Sequence, residues 1–192
     1  MEQVRVGFAF CGSFCTHAAA VGALEQVKAH YSDVIPIVSE ATAEFDTRFG
    51  EAHKFLCEVE RICDRRVIST IPGAEPIGPK GLLDVLVILP CTGNTLAKLA
   101  TGVADSTVTL AAKAHLRNGR PLVIGVSTND GLAAAAKNIG ELMCRKNIYF
   151  VPFRQDDPYG KPTSLVAKFD LVVDTVSHAL EGKQLQPVLL GP

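Results

Sequence analysis

The chain has 192 residues, 47% of them hydrophobic and 20% charged, with a formal net charge of −1. A near-neutral chain without tryptophan has no electrostatic footprint for nucleic acid or for an anionic membrane surface, and few rings on which bases could stack. The length fits one domain with a sizeable core, no apolar run near the N-terminus reaches signal or spanning length, and six cysteines without a CxxC pair read as reduced, mostly buried thiols of a cytoplasmic protein.

Residues 4–10 are a β-rich apolar run, followed by Cys11, Gly12 and Ser13. From Thr16, alanines, Val21, Leu24 and Val27 recur at helical spacing to about His30. Strand, glycine turn and helix make the first half of a βαβ unit. A helix starting just after such a turn aims free N–H groups at the loop. The generic dinucleotide fingerprint is incomplete, because Gly7 comes several residues early and no third glycine opens the helix. Residues 34–38 read as the second strand, with Ser39 at its end. A serine there suits a phosphate oxygen, or is a plain turn hydroxyl. Glu40, one residue on, keeps ribose binding open.

Thr47, Arg48, Phe49 and Gly50 precede a helix with Phe55, Leu56, Val59 and Ile62 on one face. Residues 66–70 suit a short strand, and the prolines and glycines of 72–79 an irregular loop. Residues 84–106 then combine three features. The apolar run 85–89 is ended by Pro90, the small loop Cys91, Thr92, Gly93, Asn94 and Thr95 follows, and a helical pattern begins at Leu96. Asp105 and Ser106 read as the cap of another helix. A buried strand, a tight loop and a helix start are where an open α/β sheet binds its ligand.

The helical pattern after Ser106 stops at Asn118 and Gly119. Residues 121–126 are the next buried strand and 127–131 its exit loop; a helix with Leu132, Ile139, Leu142 and Met143 comes next. A strand over 148–153, a polar loop over 154–162, a last helix over 164–181 and a tail from about 183 complete the chain. Strands alternating with helices predict one α/β domain over 1–192. It is doubly wound and Rossmann-like (flavodoxin-like), with a mainly parallel sheet and helices on both faces.

Gly12 and Ser13 after the first strand, Ser39 after the second, and Pro90, Asn94, Thr95, Ala97, Lys98, Ala100, Gly102, Ala104 and Asp105 together resemble the FMN-binding flavoprotein family of homo-oligomeric cysteine decarboxylases. Its core carries a Pro-Ala-Ser-Ala-Asn-Thr-like loop, a helix and a Gly-Ile-Ala-Asp-Asn segment; Cys91, Thr92 and Gly93 fill the variable slots. Flavin prenyltransferases share that core, including a start like Leu89-Pro90-Cys91. Further blocks at 47–51, 74–80, 127–130, 146–148, 155–158 and 185–187 are similar to the flavoprotein-like subunits of dipicolinate-forming enzymes of spore-forming bacteria.

The resemblance implies FMN held by Gly12, Ser13, Ser39, Cys91, Thr92, Gly93, Asn94, Thr95, Lys98 and Asp105. It also implies a partner subunit carrying an NAD(P)-type fold, assembly as a trimer or dodecamer, the mother-cell cytoplasm as location, and a small dicarboxylate as substrate. Two departures set this chain apart from the decarboxylases. No histidine lies between His53 and His115, where they carry a catalytic one, and their Pro-x-Met-Asn clamp is replaced by Ser127, Thr128, Asn129 and Asp130. Ser127 and Thr128 also stand in for the prenyltransferases' Arg-Glu pair.

Removing hydride and proton from a dihydropyridine dicarboxylate requires holding two carboxylates, for which paired guanidinium donors are suited. Arg48, Arg117, Arg120 and Arg154 are candidates, with Lys80, Lys98 and Lys161 as point charges. Arg48 is favoured because its block belongs to the dipicolinate branch; a solvated arginine at a helix start is the alternative. Tyr159 and Lys161 lie in a stretch resembling the anion-binding C-terminal loop of the prenyltransferases. The catalytic base is unassigned. His17 follows the first turn, His30, His53, His115 and His178 read as surface or interface residues, and Asp156 and Asp157 are acidic alternatives. Three readings stand: a redox component working with its partner, a prenyltransferase-like transferase, and an FMN-free scaffold for the partner.

Overall fold

The computed structural model describes residues 4–191. Five strands run parallel in the order β2-β1-β3-β4-β5, with β1 Arg5–Phe10, β2 Asp33–Val38, β3 Val85–Cys91, β4 Leu122–Thr128 and β5 Ile148–Phe150. The central strands are buried almost end to end, which is why they read as unbroken apolar runs rather than alternating ones. On one face α1 (His17–His30) packs against both α3 (Ala52–Cys63) and α8 (Val172–Leu180). On the other face α5 (Gly93–Thr101) packs against both α6 (Thr107–Leu116) and α7 (Ala136–Met143). The flavodoxin-like sheet expected from the alternation is present. Its order reverses between β1 and β3, which opens a crevice at their carboxyl ends.

Several local expectations are corrected. Pro90 does not end its strand: β3 continues through a cis Leu89–Pro90 bond to Cys91, with a register shift against β4 between Ile88 and Cys91. Residues 66–70 provide one bridge, Ile68 to Ile37, and no longer strand. Residues 72–79 are largely helical, as α4 (Ile71–Ala74) and a 3-10 turn Glu75–Ile77, because Pro at a helix start costs no hydrogen bond. The predicted strand 148–153 is split, β5 being followed by β6 (Phe153–Arg154).

The predicted helix over 164–181 begins with a strand instead. β7 (Leu165–Ala167) lies antiparallel to the end of β4, Ser127 opposite Val166, and β6 adds to β7. One edge of β4 thus serves β5 along its first half and β7 along its last residues. Of the tail, Leu189 bridges to Phe153, while Pro192 lies outside the described residues. No helix among the described residues is long and apolar enough to cross a membrane.

Hydroxyl caps set where the helices near the crevice begin. Ser39 accepts from the Thr42 N–H at the start of α2 (Glu40–Glu44), and Thr92 accepts from the Thr95 N–H at the start of α5. Ser106, not Asp105, caps α6, in a reciprocal box with Thr109.

Candidate functional site

The strand ends of the crevice carry two adjoining clefts. The first, about 690 Å³, lies between the exits of β1, β2 and β3. Gly12, Ser39, Thr92, Asn94, Thr95, Lys98 and Asp105 line it, joined by Cys11, Phe45 and Ser106. Its wall is cross-tied: the Thr95 hydroxyl donates to the Cys11 sulfur at 3.3 Å and meets the Thr92 hydroxyl at 3.0 Å. The Lys98 ammonium sits 2.7 Å from the Asp105 carboxylate, whose hydrogen bond with that lysine holds it below the usual carboxylate range. Glu40 also lines this cleft, and one of its carboxylate oxygens accepts from the Thr107 N–H at 2.8 Å and the Thr107 hydroxyl at 2.7 Å, joining α2 to α6.

The second cleft, about 520 Å³, lies between the exits of β1 and β4. Ser13, Thr16, Ser127 and Thr128 contribute hydroxyls, and Arg48, Asp156 and Lys161 contribute charge. The two clefts share Gly12, Phe14 and Thr92 as a common wall. Ligands filling both would therefore meet there.

Ten residues were expected around the cofactor. Gly12, Ser39, Thr92, Asn94, Thr95, Lys98 and Asp105 come together on the first cleft, and Ser13 faces the second, 2.9 Å from the Ser127 hydroxyl. Cys91 and Gly93 line neither. Cys91 is wholly buried beneath the loop, and burial together with the neighbouring Cys11 raises its thiol well above the usual value, which disqualifies it as a nucleophile. Gly93 instead lets another loop approach: a Cβ there would lie 2.7 Å from the Asp130 carboxylate and 2.9 Å from the Thr128 hydroxyl.

Of the anion-binding candidates, Arg48 and Lys161 line the second cleft, Arg48 stacked 4.8 Å over the Phe49 ring and Lys161 3.6 Å from Asp156. Tyr159 is 99% exposed and lines neither cleft. Arg117 and Arg120 are at the opposite, amino-terminal ends of the strands. Arg117 closes the far end of α6, and Arg120 reaches the Gly81 and Leu83 carbonyls and Asp84 at the start of β3.

Two histidines are also placed differently than expected. His115 is buried, not superficial; its Nε2 donates to the Pro121 carbonyl at 2.9 Å, and burial pushes its pKa down to about 4. His17 lines neither cleft. Its Nε2 lies 2.8 Å from the Cys11 carbonyl and its ring stacks on Phe55, with burial lowering its pKa. The thiols divide evenly rather than being mostly buried, with Cys15, Cys57 and Cys144 exposed. Thr16 is a cleft residue that the sequence does not single out, and Ser127 stands out only through the resemblance, with no donor role attached to it. Each is an ordinary Ser or Thr at an element end, with no spacing signal to distinguish it from a cap.

Residues 1–174 match the family model described as Flavoprotein. The chain belongs to the flavoprotein family. It is 45% identical to the dipicolinate synthase B subunit of Bacillus subtilis (strain 168) over 190 residues, 99% of this chain and 95% of that one. The crystal structure of the dipicolinate synthase B subunit from Bacillus halodurans C superimposes with a TM-score of 0.90 at 42% identity, covering 100% of this chain and 99% of the other. The FMN-dependent cysteine decarboxylase SpaF shares the fold alone, at a TM-score of 0.66 and 22% identity over 93% of this chain and 96% of that one.

Proposed function

We propose that the chain is the flavin-binding B subunit of a two-component dipicolinate synthase. With the companion A subunit it converts dihydrodipicolinate to dipicolinate (pyridine-2,6-dicarboxylate) during spore formation. The near-full-length likeness to the dipicolinate synthase B subunit supports the overall reaction. The observation that carries the chemistry is the common wall of the two clefts at Gly12, Phe14 and Thr92, where a cofactor in one abuts a substrate in the other.

The first cleft has the size and donor chemistry FMN requires: a volume of about 690 Å³ falls in the range of small-molecule sites, and its polar lining is hydroxyl, amide and ammonium. Ser39 and Lys98 would serve the phosphate, and Thr92, Asn94 and Thr95 the ribityl chain and ring edge. FMN, when bound, supplies a two-electron acceptor for the dehydrogenation. This chain's residues bind and orient: the Thr95–Cys11 contact joins the exits of β3 and β1, and the Lys98–Asp105 pair fixes the ammonium at the cleft mouth. The base that takes the proton is not among the buried groups, since Cys91 and His115 are sealed off. An NAD(P) site on the companion subunit and assembly as a trimer or dodecamer belong to the same proposal.

The test is a titration of the purified chain with FMN, read by the shift of the flavin absorption bands. The companion subunit and dihydrodipicolinate are then added and the pyridine absorbance is monitored. Saturable FMN binding, and product formation that requires this chain, are the expected results. Absence of FMN affinity, or equal product formation without this chain, overturns the proposal.

A further inference from the structure

We propose that the second cleft is a carboxylate-recognition site for a planar aromatic dicarboxylate, with Ser13, Thr16 and Ser127 receiving one carboxylate and Arg48 and Lys161 the other. The proposal deepens the function given above and rests on it for the substrate class. The residues themselves stand on the geometry of the cleft.

The hydroxyl side comes from two strand exits. The Ser13 and Ser127 hydroxyls are 2.9 Å apart, and Thr16 Oγ1 lies 3.1 Å from Ser13 Oγ and 3.2 Å from Ser127 Oγ. Ser127 is only 4% exposed and its backbone pairs with Val166, which fixes where its side chain leaves the strand. The protons of this cluster can be counted. Thr16 donates to the Ser13 carbonyl at 2.9 Å, and one serine donates to the other. Two protons thus use the two shortest acceptors, and the third has at most the longer 3.2 Å contact between Thr16 and Ser127 inside the cluster, which a ligand oxygen can replace. A cluster of neutral donors suits a carboxylate, because charge-assisted bonds to an anionic oxygen are roughly twice as strong as those between neutral groups.

The cationic side comes from two loops. Arg48 stands on a tight turn closed by two backbone bonds, Thr47 N–H to Gly50 O at 2.9 Å and Gly50 N–H to Thr47 O at 3.1 Å. Its guanidinium lies over the Phe49 ring, which orients the planar fork while leaving its edge free. Lys161 rises from the loop that follows β6, held near Asp156. Two separate donor sets around one cleft match two carboxylates, and the Phe14 and Phe49 rings lining the same cleft match an aromatic body between them.

The proposal is tested by calorimetric titration of the purified chain with dipicolinate and with picolinate, the ring bearing a single carboxylate. Ser127→Ala removes one donor of the hydroxyl set, and Arg48→Met keeps the stem and removes the fork. Arg48 is exposed, so its variant keeps the fold even where the Ser127 variant does not. Wild-type chain is expected to bind dipicolinate at least tenfold more tightly than picolinate, and each variant to weaken dipicolinate about tenfold. FMN affinity, titrated in the same samples, is expected to stay within about twofold, because neither residue lines the first cleft.

Dipicolinate binding that is undetectable at millimolar concentration, or unchanged in Arg48→Met, overturns the site. A chain that fails to bind FMN yet binds dipicolinate through Arg48 and Ser127 keeps this site and removes the flavin reading.

Discussion

Gly93 is where the two clefts depend on each other, and Gly93→Ala tests that dependence. Two effects compete. Gly93 opens α5 with an ordinary helical backbone, so alanine restricts the unfolded chain and contributes about 0.4–1 kcal/mol of stability where it fits. Here it does not fit: the added methyl carbon would lie 2.7 Å from Asp130 Oδ1, 2.9 Å from Thr128 Oγ1 and 3.4 Å from Asp130 Cγ. The Thr128 hydroxyl donates to that same Asp130 oxygen, so clearing the methyl group breaks a charge-assisted bond of about 1.5–3 kcal/mol. Strain therefore outweighs the entropy gain, for a net loss of about 1–2 kcal/mol. For a chain of this length Tm is expected to fall by roughly 2–8 °C.

Thermal unfolding followed by circular dichroism measures the change, and a double-mutant cycle assigns it. In an Asp130→Ala background the nearest obstacle is gone, and the same glycine substitution should cost less than half as much. FMN affinity is expected to fall with Gly93→Ala, because α5 begins beside Thr92 in the common wall. A Tm at or above wild type, or an equal drop in both backgrounds, refutes the close approach of the β4 exit loop to α5.

Two further outcomes follow from buried groups. His115 is neutral in the fold with its pKa down at about 4, while in the unfolded chain it titrates near ~6.5. Between those values the unfolded state binds more protons, so stability rises with pH and is lost on acidification; from pH 7 to pH 5 this residue accounts for about 2 kcal/mol. Urea melts at the two pH values should show that loss in wild type and a smaller one in His115→Gln, and equal losses would exclude His115 as the cause. Among the thiols, Cys15, Cys57 and Cys144 should react with Ellman's reagent in native protein, while Cys11, Cys63 and Cys91 should react only after denaturation. Burial pushes the Cys11 and Cys63 thiols up to about 11. Peptide mapping that finds Cys91 labelled as fast as Cys15 would contradict the sealed position beneath the loop.

The amino-acid sequence alone determined the strand–loop–helix rhythm, because buried parallel strands are written as unbroken apolar runs and their exits as small polar residues. It also determined most of the first cleft: the residues from Thr92 to Asp105 are local in sequence, and Ser39 and Gly12 sit at strand ends that a parallel sheet must bring to one edge. Short elements were beyond it. The three residues Leu165–Ala167 fit a helix as well as a strand, and only pairing with the end of β4 decides for the strand.

The tertiary structure decided which polar residues act together. It separated Ser13 from the first cleft and joined it to Thr16 and to Ser127, more than a hundred positions away, at a distance only sheet pairing can close. It sent Arg117 and Arg120 to the far ends of the strands, because both lie where a helix runs back to start the next strand, and every such return in a parallel sheet ends opposite the crevice. It also placed Gly93 against Asp130 rather than against a ligand. The loop of residues 91–95 looked like a single cradle in the sequence; in the fold, one of its faces closes the first cleft, its cysteine is buried underneath, and its glycine holds the second cleft's loop in place. That division depends on which direction each side chain leaves the backbone, and composition and spacing do not encode it.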